Sequence, residues 1–406
     1  MPLSRFIRHN VRMHRHRLAP TPEQEAVLVR HCAHARYVWN LAVEQHTRWR
    51  SGRKSAPGYL EQCQQLTAAR SEHAWLRDGS QMVQQQALRD FVQGRAGFFA
   101  GTHRRPRWRK AGRGEGFRIV AVKPGSVRRL NRNWGQFRVP KAGWIRFRWS
   151  RQVPDGVKSF RVTRDRAGRW HVAFATVPKP VPAPETGNTV GIDRGVAVSA
   201  ALSTGELLHV PGLTDREQKR LQFLQRKLAG TKYGSNRRAK VRLALALLEA
   251  RKADRRKDWC EKVSTDIARR FDVIRVEDLK IRNMTRSARG TIDTPGRAVA
   301  AKAGLNRGIL QSGWGMLVRR LEDKAPGRVE RVRPAFTSQR CSACGHVAAE
   351  SRESQALFRC IACNYACNAD VNAAKNIAAG HAVTARGGLG STRPVNREPQ
   401  LLLQSA

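Results

Sequence analysis

Three regimes of hydrophobic spacing run along the chain. From Thr21 to about Gly101, apolar residues recur at helical intervals: Ala26, Val27, Val29, Ala33, Tyr37, Val38 and Leu41, then Met82, Val83, Ala87, Leu88, Phe91 and Val92. Thr21-Pro22-Glu23-Gln24 has the form of a helix start, with Thr21 as N-cap and Pro22 at the first helical position. The preceding residues 5–17, RFIRHNVRMHRHR, read as one basic strand. Trp39 and Asn40 lie inside the first helical pattern, as core packing and a surface amide respectively. Over 117–177 the period becomes two. FRIVAV, FRVPKAGWIRFRW, VKSFRVTRD and WHVAFATV alternate apolar with basic residues and are separated by Gly, Pro and Asn turns. They predict antiparallel strands with one core face and one cationic face.

The Pro-rich segment 178–188 marks the main boundary. Beyond it, Val190, Ile192 and the run from Val196 to Leu202 predict a buried strand, interrupted by Asp193. An acid within a buried strand is costly unless it binds something positive. Thr204-Gly205 turns the chain into a second strand over 206–210. Residues 215–270 form a long helical region whose stripe is Leu221, Leu224 and Leu228, then Val241, Leu245 and Leu248, then Trp259, Val263 and Ile267, with 230–236 separating two arms. A strand over 273–276 ends in Glu277-Asp278, a helix is expected over about 309–324, and VERVRPAFTS supplies a further short strand. The stretch after Gly380 has no period and reads as disordered.

Charge changes the picture more than size does. The 406 residues are enough for two or more domains, but 77 Lys and Arg against 31 Asp and Glu give a formal net charge of +46. A compact fold with that excess repels itself unless a polyanion neutralises it, and nucleic acid is the obvious one. Residues 103–113 interleave Arg104, Arg105, Arg107, Arg109 and Lys110 with Trp108, a pattern suited to phosphate contact and base stacking, although a charge run also serves as a plain solvated face. Arg237, Arg238 and Lys240, with 255–257, form a second candidate track for a nucleic-acid backbone. No segment approaches a transmembrane span, and the basic N-terminus lacks the apolar core of a signal peptide, so a cytoplasmic protein without membrane partners is expected.

Two constellations carry chemistry. Cys341 and Cys344, then Cys360 and Cys363, form two Cys-x-x-Cys pairs separated by fifteen residues, the arrangement of a four-cysteine zinc ribbon. Two disulfides are the competing arrangement, and nothing in the chain indicates secretion. Cys367 reads as a small packing residue. Asp370 opens DVNAAKNIAAG, whose Ala373, Ala374, Ile377 and Ala378 sit at helical spacing, so it lies at or near a helix N-terminus beside the metal-stiffened hairpin. Alone it reads as a cap. With Asp193 and Glu277 it completes a set of three acids on separate elements that can converge on one sheet edge, where they are expected to hold two Mg²⁺ ions about 4 Å apart. Such a centre in a strongly cationic chain implies a nuclease or a polynucleotidyl transferase.

GIDRG at 191–195, VEDL at 276–279, TSQRCSACG at 337–345 and NADVNAAKNI at 368–377 resemble the split RuvC and zinc-ribbon motifs of the TnpB family of transposon-encoded RNA-guided DNA endonucleases, relatives of compact type V CRISPR effectors. RLAPTPEQEAVL, ARYVWN at 35–40, QQQALRDF at 84–91 and RRPRWRK resemble the family's opening more weakly. The resemblance spans about residues 5–380. It implies a multidomain α+β chain: a wedge-type β-barrel built from 1–17 and 113–183, an inserted helical recognition domain over 18–112, an RNase H-like RuvC nuclease domain over 184–336 and 367–380, an inserted four-cysteine zinc ribbon over 337–366, and a tail over 381–406. It implies Asp193, Glu277 and Asp370 as catalytic ligands of two Mg²⁺, one Zn²⁺ on the four cysteines, a guide RNA carried by one protein chain, and double-stranded target DNA recognised beside a short flanking motif. Asn364 stands where the family commonly has Gly, and Asn tolerates the left-handed backbone such a position needs. A compact CRISPR effector, an RNase H-like DNA transposase and a zinc-ribbon RNA-binding protein without chemistry are the alternatives.

Overall fold

The computed structural model describes residues 12–48, 55–176 and 179–380. The chain divides into two compact units, residues 1–180 with 211–258 and residues 181–210 with 259–406. The expected basic strand over 5–17 falls partly, and the expected disordered tail wholly, outside the described residues.

The first unit is built on strands β1 (Arg12–Ala19), β2 (Gly116–Val120), β3 (Val127–Arg129), β4 (Trp134–Val139), β5 (Gly143–Arg148), β6 (Ser159–Arg164) and β7 (Trp170–Thr176), in the order β2-β6-β7-β1-β5-β4-β3. All neighbours run antiparallel, and β1 joins the two halves by pairing first with β7 and then, at Leu18 and Ala19, with β5. Period-two alternation sends Phe137, Phe147, Phe160 and Phe174 inward, all fully buried. Their rings meet edge-on, as for Phe137 and Phe160 at 5.0 Å between centres. The outward residues of β4 and β5 are basic or aromatic apart from Gln136. Arg148 and Arg146 lie over Trp134 at 4.3 and 4.7 Å, and Arg128 over Trp144 at 4.4 Å.

Helices α1 (Pro22–Thr47), α2 (Tyr59–Glu72), α3 (Ala74–Arg77) and α4 (Gln81–Phe99) belong to the same unit. Thr21 closes a capping box on α1: the Gln24 amide donates to Thr21 Oγ1 at 3.3 Å and the Thr21 amide donates to Gln24 Oε1 at 3.1 Å. Helix α5 (Asp215–Ala229) packs Leu221 and Leu224 against Val241 and Leu248 of the first part of α6 (Asn236–Arg270).

The second unit carries a five-stranded sheet of β8 (Thr189–Asp193), β9 (Ala200–Leu202), β10 (Leu207–Leu208), β11 (Val273–Glu277) and β12 (Val329–Val332), ordered β10-β9-β8-β11-β12. β8 pairs antiparallel with β9 and parallel with β11, and β11 pairs parallel with β12. Helices α7 (Ile281–Met284), α8 (Val299–Ser312), α9 (Trp314–Lys324) and α10 (Ala369–Ala379) and a hairpin of β13 (Leu357–Arg359) with β14 (Ala366–Asn368) complete it.

Two expectations are corrected here. The single strand expected from Val190 to Leu202 is two, because the chain turns after Asp193; Val196 is 38% exposed rather than buried. The acid therefore ends its strand instead of interrupting it. The helix expected over 309–324 is broken at Gly313, which takes φ 73° between α8 and α9.

Helix α10 lies directly on β8. A Cβ on Gly191 would collide with the Ala374 carbonyl oxygen and the Ala378 amide nitrogen and approach Ala378 Cα to 2.9 Å. The missing side chain is therefore what lets helix and strand touch. Gly191→Ala is expected to destabilise the protein by about 3 kcal/mol or more, because the colliding atoms are backbone and overpacking against side chains alone costs about 1–3 kcal/mol. A chemical denaturation midpoint unchanged from wild type would contradict this.

Candidate active site

The last register pair of β8 and β11 is Ile192 with Val276, so Asp193 and Glu277 follow side by side at the ends of adjacent parallel strands. Asp370 is the second residue of α10, the helix seated on β8. Its cap is Asn368, whose Oδ1 accepts from the Asp370 and Val371 amides at 3.0 and 3.2 Å, leaving the Asp370 carboxylate free of capping duty. The three acids thus belong to one unit and influence one another. Burial pushes the Asp193 carboxyl up to about 8, with the negative charges of Glu277 and then Asp370 adding to the effect. Burial also raises Asp370, against the pull of Arg352.

The carboxylates are drawn together less tightly than the thiols. Among the described residues, the four cysteines alone bring at least three ligand atoms within 4.8 Å of one another. The acids form a looser, mutually repulsive group.

Five residues that period and spacing did not single out hold this group. The Thr337 hydroxyl donates to Glu277 Oε1 at 2.6 Å, fixing the acid's orientation. Arg352, in the ribbon segment between the two cysteine pairs, donates to Asp370 Oδ1 at 3.4 Å. Arg194 is 5% exposed and donates to the Glu277 backbone carbonyl, while its Nε finds no partner among the described residues. Asn376 Nδ2 donates to the carbonyls of Thr337 and Arg340 at 2.9 and 2.7 Å, and Asn372 Nδ2 to that of Arg340 at 2.7 Å. These amides tie the foot of the ribbon to α10. Thr337, Arg194 and both asparagines do fall inside the motifs TSQRCSACG, GIDRG and NADVNAAKNI, and Arg352 falls inside none.

The four cysteines converge without forming disulfides. Cys341 and Cys363 sulfurs are 3.7 Å apart, and those of Cys344 and Cys360 are 3.6 Å apart. A tetrahedron of thiolates about 2.3 Å from zinc has edges of about 3.8 Å, so the cluster fits that ion. Burial pushes the Cys360 thiol up, but hydrogen bonds from the Cys363 and Ala362 amides, then from Cys344 and Cys363, outweigh it and bring the thiol to about 6. Asn364 turns the second knuckle with φ 56°, the left-handed conformation expected of it. Cys367 lies on β14, outside the cluster.

The cationic candidates separate into two kinds. Arg104, Arg105, Arg107, Trp108 and Lys110 are exposed, Trp108 by 56%. Arg109 is not free: its guanidinium lies 3.6 Å from the Trp39 ring centre, and burial brings it down to about 10. Trp39 and Asn40 do more than pack and solvate. Trp39 Nε1 donates to the Arg107 carbonyl at 2.9 Å, and the Asn40 side chain bonds both the amide and the carbonyl of Arg109 at 2.7 and 3.0 Å. They strap the basic segment onto α1. Arg237 and Lys240 are exposed, whereas Arg238 donates to the Leu228 and Thr231 carbonyls, both at 2.8 Å, closing the end of α5.

The comparisons bear directly on this site. A family model described as "Probable transposase" matches residues 171–288, one described as "Cas12f1-like, TNB domain" matches 314–377, and one described as "Helix-turn-helix domain" matches 11–55. The chain is 38% identical over 397 residues to the "Putative RNA-guided DNA endonuclease InsQ" of Escherichia coli (strain K12), covering 96% of this chain and 97% of that protein. The chain belongs to the TnpB family. A second relative, the "Putative RNA-guided DNA endonuclease" of Streptomyces pristinaespiralis, is 34% identical over 93% of this chain and 91% of its own length. In fold, the chain is similar to a Cas12f1 protein solved in a complex with sgRNA and target DNA, with TM-score 0.51 at 14% identity over 88% of this chain and 82% of that one. No helix among the described residues is long and apolar enough to cross a membrane.

Without bound cations, ionised Asp193 is penalised in the fold. Its folded pKa lies above the ordinary carboxylate value, so the penalty grows as pH rises from about 4 and is complete above about 8. Asp193→Asn is expected to raise the melting temperature in chelator, by more at about pH 8.5 than at about pH 6. A pH-independent difference, or a loss of stability, would refute the crowding. Cys341→Ser is expected to lose the one equivalent of zinc that elemental analysis should find in the wild type; wild-type protein without zinc would count against the ribbon.

Proposed function

We propose that the chain is an RNA-guided DNA endonuclease that hydrolyses phosphodiesters at Asp193, Glu277 and Asp370. The observation that carries this is the set of three acids on β8, β11 and α10, at one edge of the second unit's sheet. That sheet has its first strand, β8, in the centre, with β9 and β10 joined to it by successive antiparallel pairings on one side and two strands parallel to it on the other, which supports an RNase H-like reading. The antiparallel sheet of the first unit supports the wedge-barrel reading, with α1 to α4 as the recognition helices.

The acids hold the cations. Bound magnesium supplies an activated water and stabilises the leaving oxygen of the scissile phosphodiester. Thr337 keeps Glu277 turned toward the centre, Arg194 holds the carbonyl end of β11, and Arg352 offers a guanidinium beside Asp370 for the incoming phosphate. Cys341, Cys344, Cys360 and Cys363 would hold zinc, which would keep the ribbon segment that carries Arg352 rigid next to α10. The exposed segment 104–110 and Arg237 and Lys240 contact nucleic-acid backbone. The guide RNA reads the target by base pairing and the protein reads the flanking motif, in the cytoplasm of a prokaryotic cell and with one chain per RNA.

The test uses the RNA that co-purifies with the chain, sequenced and transcribed, with a matched duplex and Mg²⁺. Wild type is expected to cut. Asp193→Ala should lose more than about 100-fold in cleavage while retaining the RNA, and Thr337→Ala should lose about 10–100-fold, the usual cost of removing a partner of a metal ligand. Wild-type cleavage by Asp193→Ala would remove the assignment. Joining of cut ends to a second duplex by the protein alone would replace hydrolysis with strand transfer.

A further inference from the structure

The aromatic core of the first unit does not end in solvent. It opens into a cleft of about 480 Å³, lined by Arg129, Arg132, Trp149, Arg151 and Asp155, to which none of the roles above applies. That volume lies within the usual range for small-ligand pockets, about 300–1,000 Å³.

Trp149 forms its floor. The indole stacks on buried Phe147, with ring centres 5.6 Å apart and planes inclined by 27°. Across the strand pair, a Cβ on Gly135 would stand 2.5 Å from Trp149 Cε3 and 2.7 Å from Phe147 Cζ, so only a glycine lets both rings lie against β4. Phe147, Trp149 and the Arg129 guanidinium over the indole thus form a column, whose last member, Arg129, faces the cleft. The Trp149 indole N–H makes no hydrogen bond among the described residues.

The rim is cationic. The Arg129 guanidinium lies 5.5 Å from the Trp149 ring centre and is steadied by its Nε, which donates to the Asn131 carbonyl at 3.1 Å. Arg132 and Arg151 line the same cleft, and among the described residues none of the three forms an ion pair, not even with Asp155. Three guanidinium groups around one hollow repel one another until an anion enters. A flat stacking floor beside a cationic rim fits a base joined to a phosphate, and a lone carboxylate on that rim fits an N–H donor of a base edge.

We infer that this cleft takes one unpaired nucleotide, its base laid on the Arg129 guanidinium that Trp149 backs and its phosphate held by Arg132 and Arg151. As a seat for a nucleotide of the bound RNA it rests on the function proposed above; as a nucleotide cleft it does not.

Two measurements test it. Filter binding of the co-purified, transcribed RNA is followed across a salt series. The Arg132→Glu/Arg151→Glu variant should bind at least about tenfold more weakly and lose about 0.7 from the salt slope, as for one single-strand phosphate. Trp149→Ala should weaken binding about tenfold with the slope unchanged, and Trp149→Phe should restore most of the loss. Matching melting temperatures for the exposed arginine variant guard against misfolding. In the second arm, chain washed free of nucleic acid is titrated calorimetrically with the dinucleotide pGpU, which wild type should bind and the arginine variant should not. Loss of dinucleotide binding with unchanged RNA affinity assigns the cleft to a free nucleotide. Unaltered RNA affinity together with no dinucleotide binding overturns the inference. Wild type that holds no RNA and cuts no target defeats the endonuclease reading instead, and the dinucleotide arm still decides the cleft.

Discussion

The seating of α10 on β8 is the constraint on which the nuclease-like unit depends. A side chain at Gly191 would meet helix backbone, so contact of this kind exists only because that position is bare. The same helix presents Asp370 at its start and buries Asn372 and Asn376 along its length. Both amides reach the carbonyl of Arg340, one residue before the first ribbon cysteine, at 2.7 Å. One packing contact therefore couples the strand bearing Asp193, the helix bearing Asp370 and the base of the metal-binding hairpin. Buried amides of this sort are costly unless fully paired, so they specify one arrangement rather than several.

Electrostatics runs opposite to the average here. The chain carries +46 overall, yet its candidate centre gathers carboxylates, and burial first, with the charges of Glu277 and Asp370 adding to it, holds Asp193 up to about 8. Arg352 and Arg194 offset part of that repulsion from two sides, one from the ribbon segment and one from the residue next to Asp193. A local deficit of positive charge in a basic protein marks where mobile cations belong, just as unpaired arginines elsewhere mark where phosphates belong.

Much of this was legible in the residues. Period-two alternation identified β2 and β4 to β7 and both of their faces, because an antiparallel sheet with one wet side must alternate, but it missed the three-residue β3. The capping box at Thr21, the two cysteine knuckles and the left-handed Asn364 are local devices, readable from a few neighbours. The end of β8 was not, since apolar residues on both sides of Asp193 suit one long strand as well as two short ones. Trp39 and Asn40 were also underestimated: their hydrogen bonds reach some seventy residues ahead, to Arg107 and Arg109, a distance over which spacing carries no signal.

By itself, then, the sequence determined composition, charge, the cysteine spacing, the identities of the three acids and the residues that start and stop most elements. Apart from the acids, which the resemblance to the family's motifs singles out, each follows from chemistry within a turn or two of chain. The tertiary structure decided which polar side chains serve the acids, which arginines remain free for a phosphate and which are spent on Trp39 or a helix end, and where the aromatic core opens. Those outcomes depend on contacts between residues distant along the chain, and only the folded backbone brings such residues within hydrogen-bond or stacking range.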